Sequence, residues 1–344
     1  VERWARPRTC PPLSRALEMT GPFTIIGGGV CGLAVAAELS ARDAQVTLVD
    51  PKGPPGDHAC SWWAGGMLAP DCEGVVAEPE VSRQGRKAAA WWESQGVVVN
   101  HEGTVVVALS RDQSDLATFA RRAPAATHLS KSQIAAVEPH LADRYSKALF
   151  LADEGHLDPR ATLSTLYTLL NQRGVSFSGE IKGQVIDCRG LAARDTLTDL
   201  RGVKGEMLIV RCPDFSLSRP VRLLHPRFPL YIVPRGDSVF MLGATQIETG
   251  ERTRATLRSV MELMNASYAL HPAFGEAELL EIGVDARPAF PDNQPRIRRI
   301  GDRIYANGLY RHGFLLAPAL AQMTADLVLD GKIPEVWYED HCER

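Results

Sequence analysis

The sharpest pattern along the chain is FTIIGGGVCGLAVAAELSARDAQVTLVD, residues 23–50. Phe23–Ile26 is a short apolar run. Gly27, Gly29 and Gly32 follow in G-x-G-x-x-G spacing, then an Ala-rich apolar stretch from Leu33 to Leu39, then QVTLVD, which closes on Asp50. This predicts strand, glycine turn, helix, strand and acid, the order of a dinucleotide-binding βαβ unit. Further on, VSRQGRKAAAWWESQG predicts a helix ending near Gly96, and VVVNHEGTVVVALS two strands meeting in a hairpin around His101–Gly103. SKSQIAAVEPHL predicts a short helix capped by Ser130. DPRATLSTLYTLLNQRG predicts a longer one, with Asp158 as N-cap, Pro159 at the first helical position and Gly174 past the end. GVSFSGEI and QVIDCRG read as short strands. PLYIVPRGDSVFMLGAT predicts two strands about Arg235–Ser238, and TRATLRSVMELMNASYAL a helix stopped by His271-Pro272. ELLEIGVDARPAF reads as a strand. RIYANGLYRHGFLLAPALAQMTADLVLDG reads as a strand, a glycine-bearing loop and a helix beginning near Ala317-Pro318.

Helix-rich, glycine-punctuated segments thus alternate with β-rich ones. The expected class is α/β with an α+β part. A Rossmann-like domain, discontinuous over residues 19–87, 151–205 and 284–344, carries an inserted antiparallel β-sheet domain over 88–150 and 206–283. The 344 residues suffice for about two domains.

Composition narrows the classes. Hydrophobic residues make up 45% of the chain, as in ordinary globular proteins. With 38 basic and 41 acidic residues the net charge is −3, which gives no reason to propose nucleic acid or a membrane surface as partner. The pattern shows no apolar run near the ~18 residues that span a bilayer. Seven scattered cysteines form no C-x-x-C pair, so no metal site is expected and reduced, cytoplasmic thiols are the simplest reading. Residues 1–18 carry four arginines and no apolar signal core; they read as a vector-derived or upstream arm, with a start at Met19.

The glycine turn lets the backbone approach a pyrophosphate at the positive start of a helix, and Asp50 is placed to accept from a ribose. NAD and FAD share this fingerprint. A second candidate is the loop Asn307-Gly308 to Arg311-His312-Gly313, which precedes another helix start. Such a terminus stabilises negative charge in front of it, as on a reduced flavin, though a plain βα connection has the same form.

FTIIGGGVCGLAVAAELS, SWWAGGML, PLYIVPR, DARPAFPDN and GLYRHGFLLAP occur here in that order. Together they resemble the glycine oxidases of the D-amino-acid oxidase and sarcosine oxidase superfamily, from about Pro22 to Gly331. The resemblance implies non-covalent FAD. Gly29 and Val30 would approach the pyrophosphate within the turn of Gly27 and Gly32. Asp50, with Pro51 beside it, would meet the adenosine ribose. Cys60, Ser61, Gly65, Gly66 and Met67 would line the isoalloxazine side. Ile181 matches a backbone contact near the adenine. Leu309, Tyr310, Arg311, His312, Gly313, Phe314 and Leu315 would wrap the flavin's pyrimidine edge.

The same matches imply a substrate site. Arg287 would hold the substrate carboxylate through two parallel N–H donors, a geometry lysine cannot reproduce. Tyr231 would donate to the same carboxylate, and Arg311 is the matched second arginine. Each has a plainer reading: an ion-paired strand-end arginine, a core tyrosine, a loop-pinning arginine. Trp62 and Trp63 either narrow the substrate space or belong to the core. The implied reaction is oxidation of glycine, or of sarcosine or D-alanine, to the imine and then the keto acid. Dioxygen would be reduced to hydrogen peroxide, and the imine would supply a thiazole-synthesis partner in thiamine formation. No side-chain base is required; His225 and His312 are the candidates if one acts. Relatives imply a homo-oligomer. The competing classes are a sarcosine or D-amino-acid oxidase, a quinone-linked dehydrogenase, an NAD-dependent dehydrogenase and a nucleotide-binding protein without turnover.

Overall fold

The computed structural model describes residues 21–224 and 230–341. The arm of residues 1–18, Met19 and His225 lie outside the described residues. The chain opens with β1 (Phe23–Ile26), α1 (Val30–Ala41) and β2 (Val46–Val49). It continues through β3 (Met67–Leu68) and the helices α2 (Pro70–Gly74), α3 (Pro79–Gly85) and α4 (Ala88–Ser94). Next come β4 (Thr104–Ala108), α5 (Gln113–Arg122), β5 (Thr127–Ser130), α6 (Lys131–Val137), β6 (Lys147–Leu151), β7 (Gly155–His156) and α7 (Pro159–Gln172). Then follow β8 (Gln184–Asp187), β9 (Arg201–Arg211), β10 (Val221–Leu224), β11 (Leu230–Pro234), β12 (Val239–Gly243), β13 (Ile247–Glu248) and α8 (Leu257–Leu270). The last elements are β14 (Glu278–Ala289), β15 (Arg296–Ile300), β16 (Arg303–Asn307), α9 (Gly313–Asp330) and β17 (Tyr338–Asp340).

Six strands form one sheet in the order β17-β15-β16-β8-β1-β2. Here β1 lies parallel between β2 and β8, buried on both faces. Such strands are apolar throughout rather than alternating, as FTII is. Helix α1 is apolar all round because α7 and α9 pack on it above the sheet. Around this layer lies the largest apolar core, which also takes Trp91 and Trp92 of α4.

The second sheet runs β13-β9-β12-β11-β10-β4-β6-β5, with β14 paired to β9 as well. The β9–β14 ladder is long, from Glu278↔Arg211 to Ala289↔Arg201. It brings Asp285 opposite Gly205 and Arg287 opposite Val203. The strands β11 and β12 form the expected hairpin, with Tyr231 opposite Gly243. Strands of this sheet occupy 104–151 and 201–289, while Trp91, Trp92 and Val97 belong to the first core. Sheet membership therefore departs at its edges from a division at 88–150 and 206–283.

Local signals were accurate where capping chemistry is explicit. Asp158 accepts from the Ala161 N–H at 2.8 Å and starts α7; Ser130 and Gln133 form a reciprocal capping box on α6. Elsewhere packing overrode pattern. The expected helix from Val81 to Gly96 is broken at Arg86–Lys87, where Gly85 presses on Leu315 so closely that an added Cβ would lie 2.7 Å from it. The expected hairpin around His101–Gly103 does not form: Asn100 bridges His156 instead. In GVSFSGEI only Ser176 pairs, with Thr47. Helix α9 begins at Gly313 rather than near Ala317, and Pro318 sits inside it. Proline lacks the N–H that would bond the Phe314 carbonyl. The Trp92 indole N–H donates to that carbonyl instead, at 2.8 Å, and the helix is continuous. Contrary to the sequence pattern, α9 is also long and apolar enough to cross a membrane, with mean hydropathy 1.2 over 18 residues; here two thirds of it is buried in the first core.

Candidate functional site

The β1–α1 turn forms one end of a cavity of about 280 Å³. Gly27 has φ +111°, and an added Cβ at Gly32 would lie 1.9 Å from the Gly27 carbonyl oxygen. Only glycine permits this close crossing, which brings the start of α1 up against the end of β1. The Asp50 carboxylate accepts from the Gly28 N–H at 2.7 Å and the Lys52 N–H at 2.9 Å, fixing the acid at the end of β2 beside the turn. Ser61 Oγ accepts from the Val30 N–H at 3.3 Å.

Gly27, Gly29, Val30, Asp50, Pro51, Cys60, Ser61, Gly65, Leu309, Tyr310, Arg311, Gly313 and Phe314 all line this cavity. A smaller cavity of about 70 Å³ adjoins it and shares Gly65, Tyr231, Arg287 and Arg311 as walls; Gly66, Met67, His312 and Leu315 belong to this second part. Gly32 lines neither and acts through packing. Ile181 lies apart from both cavities and is 55% exposed, in the connection before β8. Trp63 lines the larger cavity; Trp62 packs against the core, and Arg160 stacks over both rings.

The start of α9 at Gly313 aims its free N–H groups at the cavity, with no acidic side chain in the first turn. Asn307 holds the preceding loop: its Nδ2 donates to the Gly190 carbonyl at 2.9 Å and its Oδ1 accepts from the Gly308 N–H at 2.8 Å.

Tyr231 stands between two glycines. An added Cβ at Gly65 would meet its ring at 2.8 Å, and one at Gly243 at 2.9 Å. Arg235 supports this wall by donating to the carbonyls of Gly65 at 2.9 Å and Ala64 at 3.2 Å. Burial pushes the Arg235 guanidinium down to about 10, which leaves it charged at neutral pH. Arg287 crosses Gly205, where a Cβ would lie 2.3 Å from the guanidinium. Its Nη1 donates to the Thr245 carbonyl at 3.2 Å.

Arg311 is engaged differently from the substrate role expected of it. Its Nε donates to Glu73 Oε2 at 2.8 Å, and its Nη2 donates to the same oxygen. His312 Nε2 lies 3.0 Å from that oxygen, and Arg222 Nη1 lies 3.5 Å from Glu73 Oε1. Burial alone would raise the Glu73 carboxyl, but Arg311, His312 and Arg222 together outweigh it and hold the carboxyl well below its ordinary range. Glu73, Arg222, Arg235 and Gly205 were all missed by sequence reasoning. Arg235 stood in the quoted PLYIVPR run without a role; the others carry no local signal.

The sequence profile of the family described as "DAO: FAD dependent oxidoreductase" matches residues 23–327. The chain belongs to this family. A Rhizobium etli protein named as the thiamine biosynthesis oxidoreductase ThiO is 49% identical over 311 residues, 88% of this chain and 95% of that protein. A Trichormus variabilis protein named bifunctional ThiO/ThiG is 26% identical over 363 residues, 95% of this chain but 55% of its own length. The crystal structure of glycine oxidase from Geobacillus kaustophilus superposes with a TM-score of 0.78 at 24% identity, covering 92% of this chain and 96% of that one; it shares the fold.

The residues of this FAD-dependent oxidoreductase fit the cofactor. In the glycine turn the N–H groups of Gly27, Gly28 and Val30 are engaged within the protein, and those of Gly29 and Cys31 are left to meet a pyrophosphate; Asp50 offers acceptors to a ribose, and α9 points its positive end at the far side of the cavity. Cys60, also in the wall, is half-buried, and its thiol is pushed up to about 12, first by desolvation and then by Asp285. The five cysteines among the described residues are all free.

Next to Glu73 along α2, the Cys72 N–H donates to Glu154 Oε1 at 2.7 Å, while Glu154 Oε2 has no hydrogen-bond partner among the described residues. Burial pushes this carboxyl up from 4.5 to about 7. The folded state therefore keeps the proton where the unfolded chain has lost it, so this group's stabilisation is complete below pH 4.5 and declines as pH rises to about 7. The difference amounts to about 3 kcal/mol. Urea midpoints of the wild type are expected to fall between pH 5 and pH 8 more than those of Glu154→Gln. Parallel pH profiles would show that Glu154 does not titrate in this way.

Proposed function

We propose that the protein oxidises glycine and comparably small amino acids, such as sarcosine or D-alanine, to the imine, with dioxygen reduced to hydrogen peroxide. The observation that carries this reading is Arg287. Of the arginines lining the two cavities, Arg189, Arg222, Arg252 and Arg311 each face a carboxylate. Arg287 has none among the described residues and stands beside Tyr231 where both cavities meet. A fixed guanidinium in a cavity wall, with no carboxylate partner among the described residues, is a carboxylate receptor. FAD, when bound, supplies the hydride acceptor. Arg287 and the Tyr231 hydroxyl would clamp the substrate carboxylate and so orient Cα–H, a positioning effect that can account for much of a rate enhancement. The substrate amine must be neutral for hydride to leave. Glu73, held ionised, is a weak base, so the rate should follow the titration of the substrate amine. FAD would be held without a covalent bond.

The names of the relatives support glycine as the substrate and thiamine formation as the purpose. Fusion of such a chain to ThiG in relatives supports a thiazole-forming partner that takes up the imine. Anaerobic glycine is expected to bleach the flavin absorption of the pure protein, and air to restore it with release of peroxide. Bleaching by sarcosine or D-alanine alone would move the substrate within the class. A flavin that none of the three reduces would overturn the reading.

A further inference from the structure

Three guanidinium groups line the smaller cavity, those of Arg222, Arg287 and Arg311, and one carboxylate, that of Glu73, stands among them. The surroundings are largely buried: the Arg311 and Glu73 side chains are 16% and 18% exposed. Arg222 is 5% exposed and His312 4%, and Arg222 Nε and His312 Nδ1 have no hydrogen-bond partner among the described residues. In such a place charge is screened less than in bulk water. Glu73 engages Arg311 through two donors, touches His312 and faces Arg222, while Arg287 is left to bind. The side chains come from α2, β10, β14 and the loop before α9, so a single carboxylate from one short helix sets the charge of a wall built from four parts of the chain.

We infer that Glu73 is the residue that fixes the charge class of the substrate. By occupying Arg311 it restricts the cavity to amino acids with one carboxylate and denies a landing site to a second anionic group. This rests on the reading of Arg287 as the carboxylate receptor. With Glu73 neutralised, Arg311 and Arg222 face the cavity as free cations, and amino dicarboxylates become preferred. Glu73 acts on the substrate through Arg311 and is a positioning residue.

Sarcosine and iminodiacetate form a matched pair of probes, since they differ by one carboxylate on the N-substituent. Wild-type holoenzyme is expected to favour sarcosine in kcat/KM. In Glu73→Gln the ratio should move at least tenfold toward iminodiacetate, chiefly through KM. Malonate, an unreactive dianion, should bind that variant at least tenfold tighter relative to acetate, read from the perturbed flavin spectrum. Glu73→Asp keeps the charge and should keep the wild-type ratio. The double variant Glu73→Gln/Arg311→Gln removes both charges and should restore it. A role in packing alone would lower turnover of both probes together and leave their ratio fixed. A folded, yellow Glu73→Gln with unchanged ratio and unchanged malonate binding would overturn the inference. If that variant does not fold, Arg311→Gln decides: it leaves Glu73 facing the cavity and should disfavour iminodiacetate further, and an unchanged or opposite ratio overturns the inference. The failure of the underlying reading looks different, because wild-type flavin would then be reduced by neither glycine nor sarcosine.

Discussion

Arg287→Lys is expected to lower kcat/KM for glycine about 100-fold, mostly through KM, while the protein stays yellow. A guanidinium meets a carboxylate with two parallel N–H groups, whereas an ammonium offers a single point of charge. Losing one charge-assisted hydrogen bond costs about 1.5–3 kcal/mol, and each 1.4 kcal/mol is tenfold in binding. Arg287→Ala removes both bonds and should cost about 1,000-fold or more. The structure adds a reason why lysine cannot compensate. The Arg287 guanidinium is seated across Gly205 and tied to the Thr245 carbonyl, so its plane is fixed before substrate arrives. Gly205→Ala therefore tests the same receptor from behind: its Cβ would push the guanidinium out of place and lower kcat/KM with Arg287 intact. Steady-state kinetics with glycine, beside FAD content from the visible spectrum, measures both. An unchanged KM in Arg287→Lys would remove the carboxylate receptor from this position.

The parts of this site that were legible in the sequence are those whose physics is local. The strand–glycine–helix–acid unit declares itself because turn, helix start and acid lie within Phe23–Asp50 and have no alternative use together. Asp158 and Ser130 were legible for the same reason: a cap and the N–H it satisfies are neighbours in the chain. The Glu73 cluster was not. Arg311 and His312 were singled out in their loop, but Glu73 and Arg222 look like ordinary surface charges until two sheets and a helix bring all four together. The start of α9 was misplaced because proline is a sound local signal for the first turn of a helix. What defeats it is tertiary, the indole of Trp92 taking the carbonyl that Pro318 leaves free. Ile181 rested on position in a resemblance, as a backbone contact with no side-chain chemistry to anchor it, and it lies outside the lining of both cavities.

Two alanine substitutions in the same turn should separate fold from cofactor. Gly32→Ala is expected to yield colourless, poorly folded protein. Its Cβ would lie 1.9 Å from the backbone oxygen of Gly27 and 3.4 Å from Cys188 Cβ, and the nearer contact is backbone that cannot swing aside. Relieving it means separating α1 from β1, at a cost of about 3 kcal/mol or more. Gly29→Ala should behave in the opposite way. Gly29 has φ −76° and ψ −178°, a conformation open to any residue, and a Cβ there would meet only Ser61 Oγ, at 3.6 Å. The apoprotein should therefore unfold at the wild-type temperature. Yet Gly29 lines the cavity at the start of α1, where a pyrophosphate must approach the backbone. An alanine methyl there holds the phosphates away from the N–H groups, and FAD affinity should fall about 100-fold, the loss of one or two charge-assisted hydrogen bonds. Flavin fluorescence titration of the apoprotein reads the affinity and its melting curve reads the fold. Wild-type FAD affinity in Gly29→Ala would mean that the phosphates do not pass the first glycine turn. Lost affinity with an unchanged melting temperature would place them there, since no defect of folding could then explain the loss.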